Sequence, residues 1–294
     1  MKKKIVYVGL AADIVHEGHI NILKTAARLG YVIVGLLTDK AIASYKKLPY
    51  FEFNQRKTIL QNIKYVDQVV EQKTLDYVEN LKSFRPDYVV HGDDWKIGIQ
   101  KKTRQRVIKT LKLWGGKLVE PKYTKNISSS KIKNKISSFG VTPQNRVSKL
   151  RRLLSVKKIV RILETHNSLA GLIVENLNYI KSSTINEFDG MWSSSLTDSL
   201  TKGKPDNQSV DYSTRILGLN YIMDVTSKPL IFDADNGGRI EHISYLVKTL
   251  ERVGVSAMII EDKIGEKQNS LFVNQSKTRQ DSITSFCNKL RKAK

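Results

Sequence analysis

Lys4-Ile5-Val6-Tyr7-Val8-Gly9 runs, after Asp13, into His16-Glu17-Gly18-His19, and this opening decides how the chain is read. The first segment is a short apolar run of the kind that forms a strand buried on both faces. From Glu17 to Leu29, apolar residues recur at helical spacing through Ile20, Leu23, Ala26 and Ala27. A strand that hands over to a helix at a His-x-Gly-His turn makes an anion site. The helix start offers unpaired amides and the positive end of its dipole, and Gly18 lets the backbone come close to a phosphate. His16 and His19, three apart, share a helical face and can donate hydrogen bonds to charge building on a phosphate.

Working outward, Tyr31–Leu37 reads as the next strand and Phe53–Ile63 as an amphipathic helix. Further strands are expected at 88–91 and 117–119, with helices at 76–84 and 101–114. This alternation predicts a doubly wound parallel sheet. Ser128, Ser129 and Ser130 precede Lys131 and Ile132 at an expected helix start, where hydroxyls and amides can hold further phosphates. The mixed Ser, Gly, Pro and Asn composition after Ser137 reads as a linker, placed at 141–150.

Past that point the alternation resumes. Strands are expected at 159–165, 188–193, 229–234 and 257–261, and helices at 168–178, 209–224, 240–252 and 280–291. Asp206, Asp233, Asp235 and Glu261 fall at strand ends or on the loops that follow, where βα barrels gather their active sites. The two-residue period of a strand puts Asp233 and Asp235 on one side. Hard oxygen donors of this kind suit Mg²⁺. Ser194, Ser195 and Leu196 follow another strand and offer amides to an anion.

Composition bounds the partners. The 294 residues carry 50 Lys+Arg against 28 Asp+Glu, a formal charge of +22, with 40% hydrophobic residues. The lysines are scattered, with no nucleic-acid motif or aromatic-basic stripe, so an enzyme handling anions is expected and no nucleic-acid partner. Cys287 is the only cysteine, which excludes an intramolecular disulfide and a thiolate cluster. No apolar run has the length of a membrane span. Asp13 and His16 interrupt what would otherwise imitate a signal peptide. A cytoplasmic protein is expected.

Residues 3–135 resemble the cytidylyltransferase family typified by glycerol-3-phosphate cytidylyltransferase. The resemblance rests on Asp13 ahead of His16-x-x-His19, the Arg56-Lys57 pair, Tyr65-Val66-Asp67 and His91-Gly92-Asp93-Asp94-Trp95. It implies CTP and Mg²⁺, catalysis by His16, His19 and Lys46 (or Lys47) at the triphosphate, and Asp13, Gly18, Arg56, Gly92, Asp94, Trp95 and Ser128–Ser130 around the nucleotide. Leu10, Ala11 and Ala12 replace the family's Gly-Thr-Phe, and Lys122 or Tyr123 stands where the family has an Arg.

Residues 155–292 resemble the phosphoenolpyruvate mutase branch of the isocitrate lyase superfamily. The matching pieces are Glu164-Thr165-His166-Asn167, Trp192 to Leu196, Lys202-Gly203-Lys204-Pro205-Asp206, Asp233-Ala234-Asp235, Glu261-Asp262-Lys263 and Lys267 to Leu271. The resemblance implies phosphoenolpyruvate as substrate, held by Ser194, Ser195 and Leu196. It places Asp206 at the phosphoryl transfer and Lys267 and Asn269 on a gating loop. Asp233 would bind Mg²⁺ directly, with Asp235 and Glu261 acting through its water shell. Asn236 replaces a family Thr. Residues 151–294 supply little more than half of the roughly 250 residues of a (β/α)₈ barrel, and the later Arg and His of the family have no counterpart.

The expectation is therefore an α/β chain: a Rossmann-like nucleotidyltransferase domain at 1–140, then, from 151, the first half of a (β/α)₈ barrel, as in a phosphonate-making fusion. The half-barrel, expected to be inactive alone, is completed by a second copy or a complementing chain, or is a truncated remnant. The acceptor for CMP is expected to be a phosphonate or phosphate. Adenylyl transfer from ATP, a carbon–carbon lyase and a basic interaction protein are the competing readings. Lyases of the superfamily tend to carry a cysteine-containing loop, which this chain lacks.

Overall fold

The computed structural model describes residues 3–294 apart from 97–99, 123, 125–127, 130, 131, 133–140, 182, 183, 270 and 273–278. The chain divides into two compact units, one of Met1–Ser138 with Ile180–Asn186 and the other of Phe139–Tyr179 with Glu187–Lys294.

In the first unit, strands β1 (Ile5–Leu10), β2 (Tyr31–Leu37), β3 (Gln68–Gln72), β4 (Tyr88–Val90) and β5 (Lys117–Val119) alternate with helices α1 (Glu17–Ala27), α2 (Asp39–Ala43), α3 (Phe53–Gln61), α4 (Val78–Phe84) and α5 (Lys101–Leu111). The sheet is parallel throughout, in the order β3-β2-β1-β4-β5. The order reverses between β1 and β4, and ligands of such sheets bind at that crevice, beyond the carboxyl ends of the strands. The strands are covered on both faces. Val6, Val8, Val32, Val34 and Leu36 join one buried cluster, while the intervening Tyr7 and Ile33 join another with Val89 and Leu111. Strand β3 is absent from the sequence expectation. Its Val69-Val70 pair, flanked by Gln68, Glu71 and Gln72, gives too short a signal at a sheet edge.

The second unit opens with a helix where a linker is expected: α6 (Pro143–Val156) takes up most of 141–150. Thr142 caps it by accepting from the Asn145 amide, and Pro143 sits in its first turn, where a missing N–H costs nothing. The Thr-Pro pair is thus a helix start and not a breaker. Arg146, Leu150 and Leu153 then face inward, and Arg146 donates to the carbonyls of Met223 and Thr226.

Next come β6 (Ile162–Glu164), α7 (Ser168–Asn176), the paired strands β7 (Asn178–Lys181) and β8 (Thr184–Glu187), of which 180–186 group with the first unit, β9 (Gly190–Ser193), α8 (Ser195–Leu200) and α9 (Tyr212–Asp224). The unit ends with β10 (Leu230–Asp233), α10 (Ile243–Val253), β11 (Ala257–Ile259), the short β12 (Lys263–Ile264) and β13 (Arg279–Gln280), and α11 (Ile283–Ala293). Strands β6, β9, β10 and β11 are parallel and adjacent in chain order. A parallel sheet that advances one neighbour at a time in one direction is wound as a (β/α)₈ barrel is, here over four strands. Its helix-side face buries Met191, Leu230 and Phe232 among helix residues. On the opposite face, in register, Trp192 is 37% and Ile259 45% exposed.

Candidate functional sites of the two units

In the first unit, β1 ends at Leu10 and the chain turns through Ala12, whose φ of +48° lies in the left-handed region that L-residues enter at a cost. Asp13, buried, accepts from the amides of Tyr50 at 2.6 Å and Phe51 at 3.2 Å, so it pins the 46–51 loop against the strand end. His16 then caps α1. Its Nδ1 accepts from the Gly18 amide at 3.1 Å, and the Nδ1 of His19 accepts from the His16 amide at 3.3 Å. This is a capping box with two imidazoles in place of the usual hydroxyl and carboxyl. An amide can only donate, so both Nδ1 atoms are acceptors and each neutral ring carries its proton on Nε2. The ring centroids are 4.0 Å apart. Burial pushes the His16 pKa down. Burial, together with the charges of His16 and Lys46, pushes His19 down to about 3. Both rings are neutral hydrogen-bond donors near pH 7. A Cβ on Gly18 would lie 3.0 Å from the His16 ring, so the glycine is what lets the ring fold back onto the helix start.

The hydroxyl-bearing turn comes to the same place. Ser129 donates to the carbonyl of Ile14, two residues before His16, and Asn21 of α1 donates to Thr124. The amide of Ile132 donates to the Ser128 carbonyl, a helical turn. Ser130 lies outside the described residues. Lys46 follows α2, over the ring of Tyr45.

Two residues expected around the nucleotide are enclosed by the protein. Arg56 has a fully buried guanidinium committed to the protein. It donates to the carbonyls of Phe51 (3.1 Å), Ala11 (2.5 Å) and Leu37 (2.9 Å) and pairs with Asp39 at 2.6 Å. It ties the ends of β1 and β2 together. Trp95 is also enclosed, its indole N–H donated to Glu120 at 2.7 Å and its ring stacked on His91 at 3.9 Å. Arg104 grips the same carboxylate and, by those hydrogen bonds, holds Glu120 down to about 2. Gly92 and Asp94 stand at the end of β4, with the Asp94 side chain half exposed; a Cβ on Gly92 would meet Asp94 at 2.9 Å.

In the second unit, β10 stops at Asp233. The chain then turns at Asp235, whose φ is +51°, so the two carboxylates are not alternate residues of one strand. A turn joins them instead: the Asp235 amide donates to Asp233 Oδ1 at 3.0 Å. The other oxygen of Asp233 accepts from Ser195, by the amide at 3.2 Å and the hydroxyl at 3.0 Å. Lys267 reaches into this group and donates to Asp206 (2.6 Å), to Ser195 Oγ (2.6 Å) and to Asp235. A cavity of about 250 Å³ here is lined by Ser194, Ser195, Leu196, Asp206, Asp233 and Lys267, among others. Glu261, also on its wall, pairs with Lys263 at 2.8 Å. Asn269 is buried and its side chain accepts from the Leu271 amide.

Arg215, which the sequence reading missed, lies beneath this group. Its buried guanidinium pairs with Asp198 (2.8 Å), donates to the carbonyls of Asp233 (2.6 Å) and Ser193 (3.3 Å) and lies 3.8 Å from Asp235. It also stacks on Phe232, 4.2 Å from the ring centroid. Its position on α9 carried no motif.

As to a divalent cation, among the described residues no three Asp, Glu, His or Cys side chains form a ready cage. The chemistry of the side chains gathered here is nevertheless of the kind such a cation takes. Asp206, Asp233 and Asp235 supply hard oxygens, and the Lys267 ammonium pairs with two of them, Asp206 and Asp235, as a stand-in cation. Among the described residues no helix is long and apolar enough to cross a membrane.

Residues 7–135 match a family model described as cytidylyltransferase-like. Over 102 residues the chain is 38% identical to the glycerol-3-phosphate cytidylyltransferase of Bacillus subtilis (strain 168), a match covering 33% of this chain and 74% of that protein. The chain belongs to the cytidylyltransferase-like family. Residues 150–294 match the model for phosphoenolpyruvate phosphomutase. Over 141 residues the chain is 30% identical to the phosphoenolpyruvate phosphomutase of Tetrahymena pyriformis, covering 48% of this chain and 44% of that protein. The chain thus spans less than half the length of that relative. A solved phosphoenolpyruvate phosphomutase from Streptomyces platensis subsp. rosaceus is 28% identical with a TM-score of 0.44, covering 50% of this chain and 48% of that one.

Proposed function

We propose that the first unit of this cytidylyltransferase-like protein transfers CMP from CTP to a small phosphonate or phosphate, releasing pyrophosphate. The observation that carries this reading is the imidazole pair at the start of α1, with both rings neutral and both protons on Nε2. An oxyanion of the acceptor attacks the α-phosphorus in line, and the bond from that phosphorus to the bridging oxygen breaks, with no covalent enzyme intermediate. The two Nε2–H groups donate to the α-phosphate as charge builds there, the helix start adds its dipole, and Lys46 faces the leaving pyrophosphate.

The second unit, on this reading, is the first half of a phosphoenolpyruvate mutase, which moves a phosphoryl group from oxygen to carbon to give phosphonopyruvate. Asp233 and Asp235 would hold Mg²⁺, which when bound neutralises substrate oxyanions. Ser195 orients Asp233, and the 194–196 segment faces the substrate's oxygens. With one sheet face uncovered, the described chain is expected to show no mutase turnover until further βα units, from a second copy or another chain, complete the barrel. The pairing of the two chemistries in one chain supports a role in making phosphonates, with 2-aminoethylphosphonate as the candidate acceptor.

Pyrophosphate release by the full chain, with CTP, Mg²⁺ and 2-aminoethylphosphonate, phosphoethanolamine or glycerol 3-phosphate in turn, tests this. His16→Ala should lower turnover about 10²–10³-fold. Undiminished turnover would remove the imidazoles from the chemistry. Faster release with ATP would make the unit an adenylyltransferase. No release with any acceptor, together with steeply salt-dependent nucleic-acid binding, would favour a basic interaction protein.

A further inference from the structure

The second site carries a cation of its own. An ammonium has three N–H donors, and those of Lys267 go to Asp206, Asp235 and Ser195 Oγ. The two carboxylates are nearly sealed from solvent, with side chains 2% and 5% exposed, and the lysine side chain is 12% exposed. Buried carboxylates so close together need positive charge beside them. Arg215 serves Asp235 from below at 3.8 Å, and Lys267 serves both from the cavity side. The segment that carries the lysine is tied to the site: Asn236, next to Asp235, donates to the Gly265 carbonyl at 3.3 Å.

We infer that Lys267 is a built-in occupant of the divalent-cation position, and that a metal ion loads by displacing its ammonium from Asp206 and Asp235. The inference rests on the proposed reading of these carboxylates as a Mg²⁺ site. A metal ion on Asp233, whose carboxylate the ammonium does not hold, would draw on the neighbouring Asp206 and Asp235 oxygens directly or through water, and those two are the ones the ammonium now holds. The two cations also repel one another at short range. Loading therefore withdraws Lys267 and the 263–269 segment with it. The freed ammonium then faces whatever anion enters beside the metal. The same lysine serves the carboxylates in the empty pocket and the substrate's negative charge in the loaded one, which imposes an order: metal first, then anion. Competition of this kind makes the site bind metal more weakly than its carboxylates alone would, and removing the competitor should tighten it.

Mn²⁺ binding to the full chain, followed by electron paramagnetic resonance and by calorimetry, tests the inference. Lys267→Met should bind Mn²⁺ about tenfold or more tightly than the natural chain, within the usual range of couplings between competing ligands. Lys267→Arg, which restores a cation, should return to the natural affinity. Lys267→Gln, which removes charge but can still hydrogen-bond, should tighten binding as the methionine variant does, and stands in for it if that variant does not fold. Amide exchange across 263–269 should rise when Mn²⁺ is added to the natural chain. Asp233→Asn should abolish binding in every background and so marks the site. Equal or weaker binding by the Met and Gln variants, with the Asp233 dependence intact, overturns the inference alone. Absence of any Asp233-dependent Mn²⁺ binding removes the metal-site reading and the inference with it.

Discussion

The two units build parallel sheets from the same kind of strand and finish them differently. In the first, Tyr7 and Val8 point to opposite faces and both are fully buried. In the second, Met191 is fully buried while its neighbour Trp192, on the other face, is 37% exposed. Among the described residues, no large apolar side chain on the strands of the first unit's sheet is exposed, whereas Trp192 and Ile259 on those of the second are. A doubly wound sheet covers both faces with its own helices. A barrel-type sheet covers one with helices and the other with its own far wall, so half of it leaves apolar surface bare. Yet both units build their sites alike, at the carboxyl ends of strands, with one buried arginine stitching those ends together from behind: Arg56 in the first, Arg215 in the second.

That likeness is the first thing to break. Arg56→Ala removes a buried guanidinium that serves Asp39 and three carbonyls, and Arg215→Ala removes one that serves the buried Asp198 and two strand-end carbonyls. Each should cost its own unit about 3–5 kcal/mol, read as a lowered urea midpoint for that unit's transition. A loss shared equally by both transitions would show that the units do not unfold separately.

The difference in coverage predicts a smaller contrast. Leu36→Ala empties a doubly covered sheet and should cost about 2–5 kcal/mol. Trp192→Ser changes a residue on the bare face and should cost about 1 kcal/mol or less. If the Trp192 variant loses as much as the Leu36 variant, that face is covered in solution.

A third contrast is set by pH. Folding holds His19 neutral down to about pH 3, while the unfolded chain takes up that proton near its ordinary value of 6.5. Between those limits the unfolded state binds more protons, so stability rises with pH through this window, by at most about 1.4 kcal/mol per pH unit, and falls as acid is added. His19→Gln should flatten the dependence of the first unit's melting temperature between pH 4 and 6.

Much of this was legible in the chain. The apolar run at 4–9 and the helical spacing from Glu17 gave β1 and α1, and alternation gave the strands around Trp192, Phe232 and Met258 to within a few residues. Local pattern ended where contacts between distant residues took over. Arg56 lies beside Lys57 in a segment that reads as nucleotide-facing, but its partners Ala11 and Leu37 turn it inward. Arg215 carries no local signal at all, because Asp198, Ser193 and Asp233 reach it from two other strand ends. Asp-x-Asp reads as strand alternation, yet the left-handed turn at Asp235 sets the spacing of the two carboxylates. Lys267 meets Asp206 across sixty-one positions, which no motif of a few residues can express.

One consequence follows from the way α1 begins. Elsewhere a helix start and the chemistry beside it can be improved separately, since the cap is a Ser or Asp with no other duty. Here the proposed reacting groups are themselves the cap, each ring spending one nitrogen on the backbone and keeping the other for the ligand. Selection for heat tolerance would find a better cap here easily and lose the enzyme by taking it, so any gain in robustness has to come from other parts of the molecule.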